Sequence, residues 1–104
     1  MITVGLLLRI ETRPETADQV EAMLAAAVEK VEQEPATTIW LALRLGPTSF
    51  AVVDAFPDEA GRQAHLNANL RALTQAADEL FAQPPSIEHT DVIAAKLPKS
   101  TTAS

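Results

Sequence analysis

Apolar residues recur along the chain with a spacing that switches between the period of a strand and that of a helix. Thr3 to Glu11 is short and rich in Val, Leu and Ile, and predicts a strand. Arg13-Pro14-Glu15 interrupts it, and Thr16 to Gln19 fits a capping box in which hydroxyl and amide each satisfy a free backbone N–H. Ala17, Val20, Leu24, Ala27, Val28 and Val31 then follow at three- and four-residue steps, with Asp18, Glu21, Glu29 and Glu32 between them, which predicts an amphipathic helix. Glu34-Pro35 stops it, because the residue before proline disfavours helix. Thr37 to Leu45 and Ser49 to Phe56 predict a hairpin around Gly46-Pro47-Thr48. Asp58 is placed to cap a second helix from Ala60 to Phe81, with Glu59 in its first turn and a kink or break expected at Asn67 and Asn69. Ile87 to Leu97 predicts a last strand, after Pro84-Pro85.

The order strand, helix, strand, strand, helix, strand predicts an α+β, ferredoxin-like protomer: a four-stranded antiparallel sheet with both helices on one face. Residues 1–98 form one domain, and residues 99–104 are expected to be a flexible tail. The uncovered sheet face is expected to meet a second copy. Pairing Leu45 with Ser49 sets Trp40 beside Asp54 and Arg44 beside Phe50. Alternation then separates a wholly apolar set (Ile39, Leu41, Leu43, Ala51, Val53, Ala55) from a mixed one (Thr38, Trp40, Ala42, Arg44, Phe50, Val52, Asp54, Phe56). The apolar set suits the underside of the helices, which places the mixed set, with Arg9 from the first strand, on the open face. Such a mixed surface reads either as a small-molecule pocket or as a dimer interface with an Arg44–Asp54 ion pair, and the two can coexist.

Composition narrows the function. The chain has 104 residues, 47% of them apolar, and a net charge of −6 with no basic run, which argues against nucleic acid and anionic membranes as partners. Cysteine is absent and there are two histidines, so thiolate chemistry and a three-histidine metal site are excluded. No apolar run approaches the roughly 20 residues that span a bilayer, and the first residues carry no export signal, so a cytoplasmic location is expected.

The stretches Arg44-Leu45-Gly46-Pro47-Thr48-Ser49-Phe50 and Asp54-Ala55-Phe56-Pro57-Asp58-Glu59-Ala60-Gly61-Arg62-Gln63-Ala64-His65-Leu66 resemble the antibiotic biosynthesis monooxygenase-like (quinol monooxygenase-like) family. So does Pro84-Pro85-Ser86-Ile87-Glu88 with Asp91-Val92-Ile93-Ala94-Ala95-Lys96-Leu97, and together they cover roughly residues 2–98. The resemblance implies a dimeric α+β barrel with the substrate in a lumen between sheet and helices. It implies oxygenation of a phenol- or quinol-type aromatic by molecular oxygen without flavin, haem or metal. An alternative is a non-catalytic barrel of the same build that binds a small aromatic ligand or serves as a stress or pathway accessory protein.

His65, at the Phe56-x₈-His spacing of the family, is the candidate for proton transfer, with Asp54 as a base or orienting group. Trp40, Phe50 and Phe56 are candidates to hold a planar substrate. Arg44 and Arg9 are candidates to steady an anion, or else to pair with Asp54 or Glu11. His89 reads as an edge-strand residue. Haem-degrading relatives use an asparagine in the first strand and a tryptophan late in the third. This chain has Leu6-Leu7-Leu8 and Asp54-Ala55-Phe56 there, which argues against that activity, and with no tyrosine it cannot use a tyrosine hydroxyl.

Overall fold

The computed structural model describes residues 1–99. Strand β1 (Val4–Glu11) leads through a 3₁₀ turn (Pro14–Thr16) into helix α1 (Ala17–Val31). Strands β2 (Ile39–Arg44) and β3 (Ser49–Phe56) form the hairpin, followed by helix α2 (Glu59–Leu80) and strand β4 (Ser86–Asp91). All pairings are antiparallel in the order β2-β3-β1-β4, with both helices on one face: the ferredoxin-like arrangement the periodicity predicts. The hairpin register is also the predicted one, with Trp40 opposite Asp54 and Arg44 opposite Phe50. Part of the expected tail, residues 100–104, lies outside the described residues.

The face assignment of the hairpin is reversed. Phe50, Val52 and Trp40 pack with Ile10, Val20 and Leu24 in the core beneath the helices. The mixed set therefore faces the helices, in line with Leu6, Leu8 and Ile10 of β1, and the apolar set lies on the open face with Leu7 and Arg9. There Leu41, Val53 and Leu7 stand in one cross-strand row, and Leu41 and Leu43 are 54% and 42% exposed.

Three local expectations change. Thr16 makes no side-chain cap on α1. Its hydroxyl instead donates to the Leu80 carbonyl at 2.6 Å, and Arg13 donates to the carbonyls of Glu79 and Phe81, so the turn before α1 satisfies the free carbonyls ending α2. Helix α2 runs unbroken through Asn67 and Asn69, because the Asn69 amide donates back to the His65 carbonyl at 2.8 Å without breaking the helical ladder. Strand β4 ends at Asp91 rather than Leu97, since β1 begins at Val4 and offers little backbone beyond the Val92 N–H to Thr3 carbonyl bond of 2.9 Å. The Asp58 cap is as expected, its carboxylate accepting from the Gly61 N–H at 2.9 Å. Just inside it, buried Arg62 donates to the carbonyls of Gly5 and Thr90 at 3.1 Å each, pinning α2 to β1 and β4.

Candidate functional site

A cavity of about 160 Å³ lies between the sheet and the two helices. Leu6, Leu8, Trp40 and Val52 form its floor, Met23, Leu24 and Ala27 of α1 one wall, and Leu66, Leu70 and Leu73 of α2 the other. Among the described residues, its few polar lining groups are Asp54, His65 and Asn69, and no arginine or lysine lines it. Helical and strand periodicity explains the composition: every one of these residues belongs to the inward-facing set of its element, where an apolar side chain is the default.

The polar groups form one connected row. Asp54, from the buried face of β3, meets Nε2 of His65 through Oδ2 at 3.0 Å. On the other side of the ring, Nδ1 meets Oε1 of Glu34 at 2.6 Å. Glu34 sits in the turn after α1, where it also accepts from the Thr37 hydroxyl at 2.8 Å and the Asn69 amide at 3.0 Å. His65 and Asp54 are buried, 8% and 5% exposed, and the Phe56 ring lies against His65 with centroids 5.4 Å apart.

Burial penalises a charged imidazole. The hydrogen bonds and negative charges of Asp54 and Glu34 outweigh that penalty and raise the His65 pKa above its ordinary value. Burial likewise works against an ionised Glu34, yet its bonds from Asn69, His65 and Thr37 win and lower its pKa. Asp54 has one oxygen committed to His65. The other, Oδ1, is buried with no hydrogen-bond partner among the described residues. A buried carboxylate oxygen without a donor is costly to leave unpaired, so this atom is an acceptor with unmet hydrogen-bonding capacity.

Of the candidates read from the sequence, Asp54, His65 and Trp40 line this cavity, and Phe56 is packed behind His65. The others lie elsewhere. Arg44 does not pair with Asp54: it reaches back to Asp18 and Glu21 of α1 at 3.3 and 2.9 Å. Its guanidinium covers the Phe50 ring, and both residues border a separate cleft beside α1. Arg9 is on the open face, 3.5 Å from Glu88. The reversal of the hairpin faces accounts for Arg9, because the residues that would join it now point the other way. His89 is exposed on edge strand β4.

Two members of the row escaped the sequence reading. Asn69 follows His65 by four residues, the spacing that places two side chains on one helix face, and could have been found on that ground. Glu34 carries no such signal, being distant in sequence and set in a turn. Among the described residues, no three His, Asp or Glu side chains are grouped to hold a metal ion. The two carboxylates here occupy opposite edges of the imidazole ring and so cannot share one. No helix among the described residues is long and apolar enough to cross a membrane.

No family model and no curated protein matches the chain. Solved structures do. A protein of unknown function from Nitrosomonas europaea is 44% identical, covering 96% of this chain and 98% of that one, with a TM-score of 0.91. The chain belongs to the same family as this Nitrosomonas protein. An antibiotic biosynthesis monooxygenase superposes with a TM-score of 0.74 at 20% identity over 88% of this chain and 99% of its own. A proposed antibiotic biosynthesis monooxygenase from Deinococcus radiodurans does so with a TM-score of 0.77 at 16% identity, over 93% and 99%. The fold is thus the antibiotic biosynthesis monooxygenase-like one, and the cavity lies between the sheet and the helix layer of that fold.

Proposed function

We propose that this protein is a cofactor-independent monooxygenase that oxidises a small hydroxyaromatic substrate of the phenol or quinol type with molecular oxygen. The observation that carries the reading is the unpartnered Oδ1 of Asp54 on a residue lining an otherwise apolar cavity. The fold shared with antibiotic biosynthesis monooxygenases supports it.

The cavity of about 160 Å³ is close to the roughly 150 Å³ that takes up benzene in a dry apolar site, so one aromatic ring fits inside. Trp40 offers that ring a flat partner, and Asp54 Oδ1 accepts the hydroxyl proton. The electron-rich anion left behind can give electrons to oxygen itself. For a quinol the balance closes without any further reductant: one oxygen atom enters the ring, the other leaves as water, and the product is a hydroxyquinone. Because neither Arg44 nor Arg9 reaches the cavity, the charge left on the ring is offset by His65, the cation behind Asp54.

In this reading two copies pair through the open sheet face, where Leu7, Leu41, Leu43 and Val53 would be buried. The cytoplasmic location expected from composition goes with it. Oxygen uptake with a panel of monocyclic quinols, together with quenching of the lone Trp40, tests the assignment. Uptake that depends on substrate and survives chelators supports it. Binding without uptake would instead make the protein a ligand-binding barrel.

A further inference from the structure

Both ring nitrogens of His65 face carboxylate oxygens, Nδ1 toward Glu34 and Nε2 toward Asp54. An ionised carboxylate only accepts, so each nitrogen must carry a proton. Asp54 alone would not require this, because a neutral imidazole with its proton on Nε2 satisfies it. The second proton is demanded by Glu34. Glu34 is in turn held as a carboxylate by the Thr37 hydroxyl and the Asn69 amide. The other polar atoms near Nδ1, the Thr37 oxygen at 3.4 Å and the Asn69 nitrogen at 3.2 Å, carry no charge. Glu34 from the turn and Asp54 from β3 are the charged side chains within ion-pair distance of the ring among the described residues.

We propose that Glu34 is a positioning residue that keeps His65 doubly protonated, so that proton abstraction in the cavity falls to Asp54 and not to the histidine. This rests on the reading of the cavity as a site that takes a proton from its ligand. It corrects the natural assignment of a buried histidine as the base: with both nitrogens occupied, His65 has no lone pair to offer. Its work is to anchor Asp54 Oδ2, leaving Oδ1 to the ligand, and to hold a positive charge behind that carboxylate while the proton leaves the substrate hydroxyl for Oδ1.

The test needs no substrate, so it stands apart from the fate of the oxygenase reading. The chain has two histidines, and His89→Gln leaves His65 as the sole imidazole. In that background, nitrogen NMR of ¹⁵N-histidine-labelled protein is followed across pH. Two protonated ring nitrogens are expected at pH 7.5, with the charge lost only above the ordinary histidine range. Adding Glu34→Gln should shift the titration to lower pH and give a bare ring nitrogen at pH 7.5. Glu34→Asp, which shortens the reach to Nδ1, should shift it the same way and stands in if the glutamine variant does not fold. A bare nitrogen at pH 7.5 with Glu34 intact would overturn the proposal. So would a titration that either Glu34 variant leaves in place.

Discussion

Protonating Glu34 or deprotonating His65 removes one charge from the row Glu34–His65–Asp54, so pH should act on stability from both ends. The folded His65 pKa is raised above 6.5, so its contribution is complete below about pH 6.5 and is lost as pH climbs through the raised value. The folded Glu34 pKa is lowered below 4.5, so its contribution is complete above about pH 4.5 and is lost as pH falls through the lowered value. The row therefore favours the fold most between about pH 4.5 and 6.5. Thermal unfolding followed from pH 4 to 9 should show the melting temperature falling above this window, and Glu34→Gln should flatten that fall. For activity, Asp54→Asn should cut turnover by roughly 10²- to 10⁴-fold on a verified substrate, the range expected for loss of a general base. Arg44→Gln should leave KM unchanged, because Arg44 is tied to α1 and borders a different cleft. His65 was legible through the Phe56-x₈-His spacing, and the Trp40–Asp54 pairing through the hairpin register, although alternation set that pair on the wrong face. Glu34 was not legible, because the direction taken by a turn carboxylate depends on how α1 ends and how β2 departs, and neither leaves a periodic trace.

Strands are where the sequence spoke most clearly and where two inferences from it failed. The turn Gly46-Pro47-Thr48 gave the hairpin register correctly, and alternation sorted its residues into the right two sets. Alternation does not say which set turns toward the helices. Choosing the more apolar set for the core is a sound rule for a core that only packs. It fails in β2 and β3 because this core also encloses a cavity with a carboxylate in it, and the broad apolar set lies on the open side. The reach of β4 was overestimated for a related reason: strand propensity continues through Ile93, but a strand needs partner backbone to pair with. Gly5 gives the element scale its sharpest test. A methyl group there would lie 2.5 Å from the Asp54 backbone carbonyl and 2.9 Å from the Thr90 hydroxyl. Gly5→Ala should thus spread β1 from β3 beside Asp54, at a cost of about 1–3 kcal/mol in urea unfolding. Asp58→Ala, which removes the α2 cap far from any such clash, should cost about 1 kcal/mol by the same measurement.

At the scale of the whole molecule, the fold was legible from element order alone. Four strands and two helices in this sequence have few right-handed, uncrossed ways to pack, and the observed order β2-β3-β1-β4 is one of them. The same order leaves an apolar row, Leu41, Val53 and Leu7, across the centre of the open face, with the Arg9–Glu88 pair beside it. In the proposed sheet-to-sheet pair, a charge introduced in that row would be stranded in an apolar contact. Leu41→Glu should therefore turn a dimer into a monomer in light scattering at micromolar concentration, while circular dichroism stays that of the folded chain. An unchanged mass would mean that this face is not where copies meet.

Strand β3 presents Asp54 to the cavity and its immediate neighbours Val53 and Ala55 to the open side. The partition between the cavity and the open side is thus one thickness of backbone. In a sheet-to-sheet pair the two cavities would sit back to back, their rear walls about 10 Å apart, the spacing of packed sheets. Each protomer would stiffen the wall on which the other's Asp54 is mounted. Specific activity should then decline on dilution, as pairs separate and the wall loses its backing.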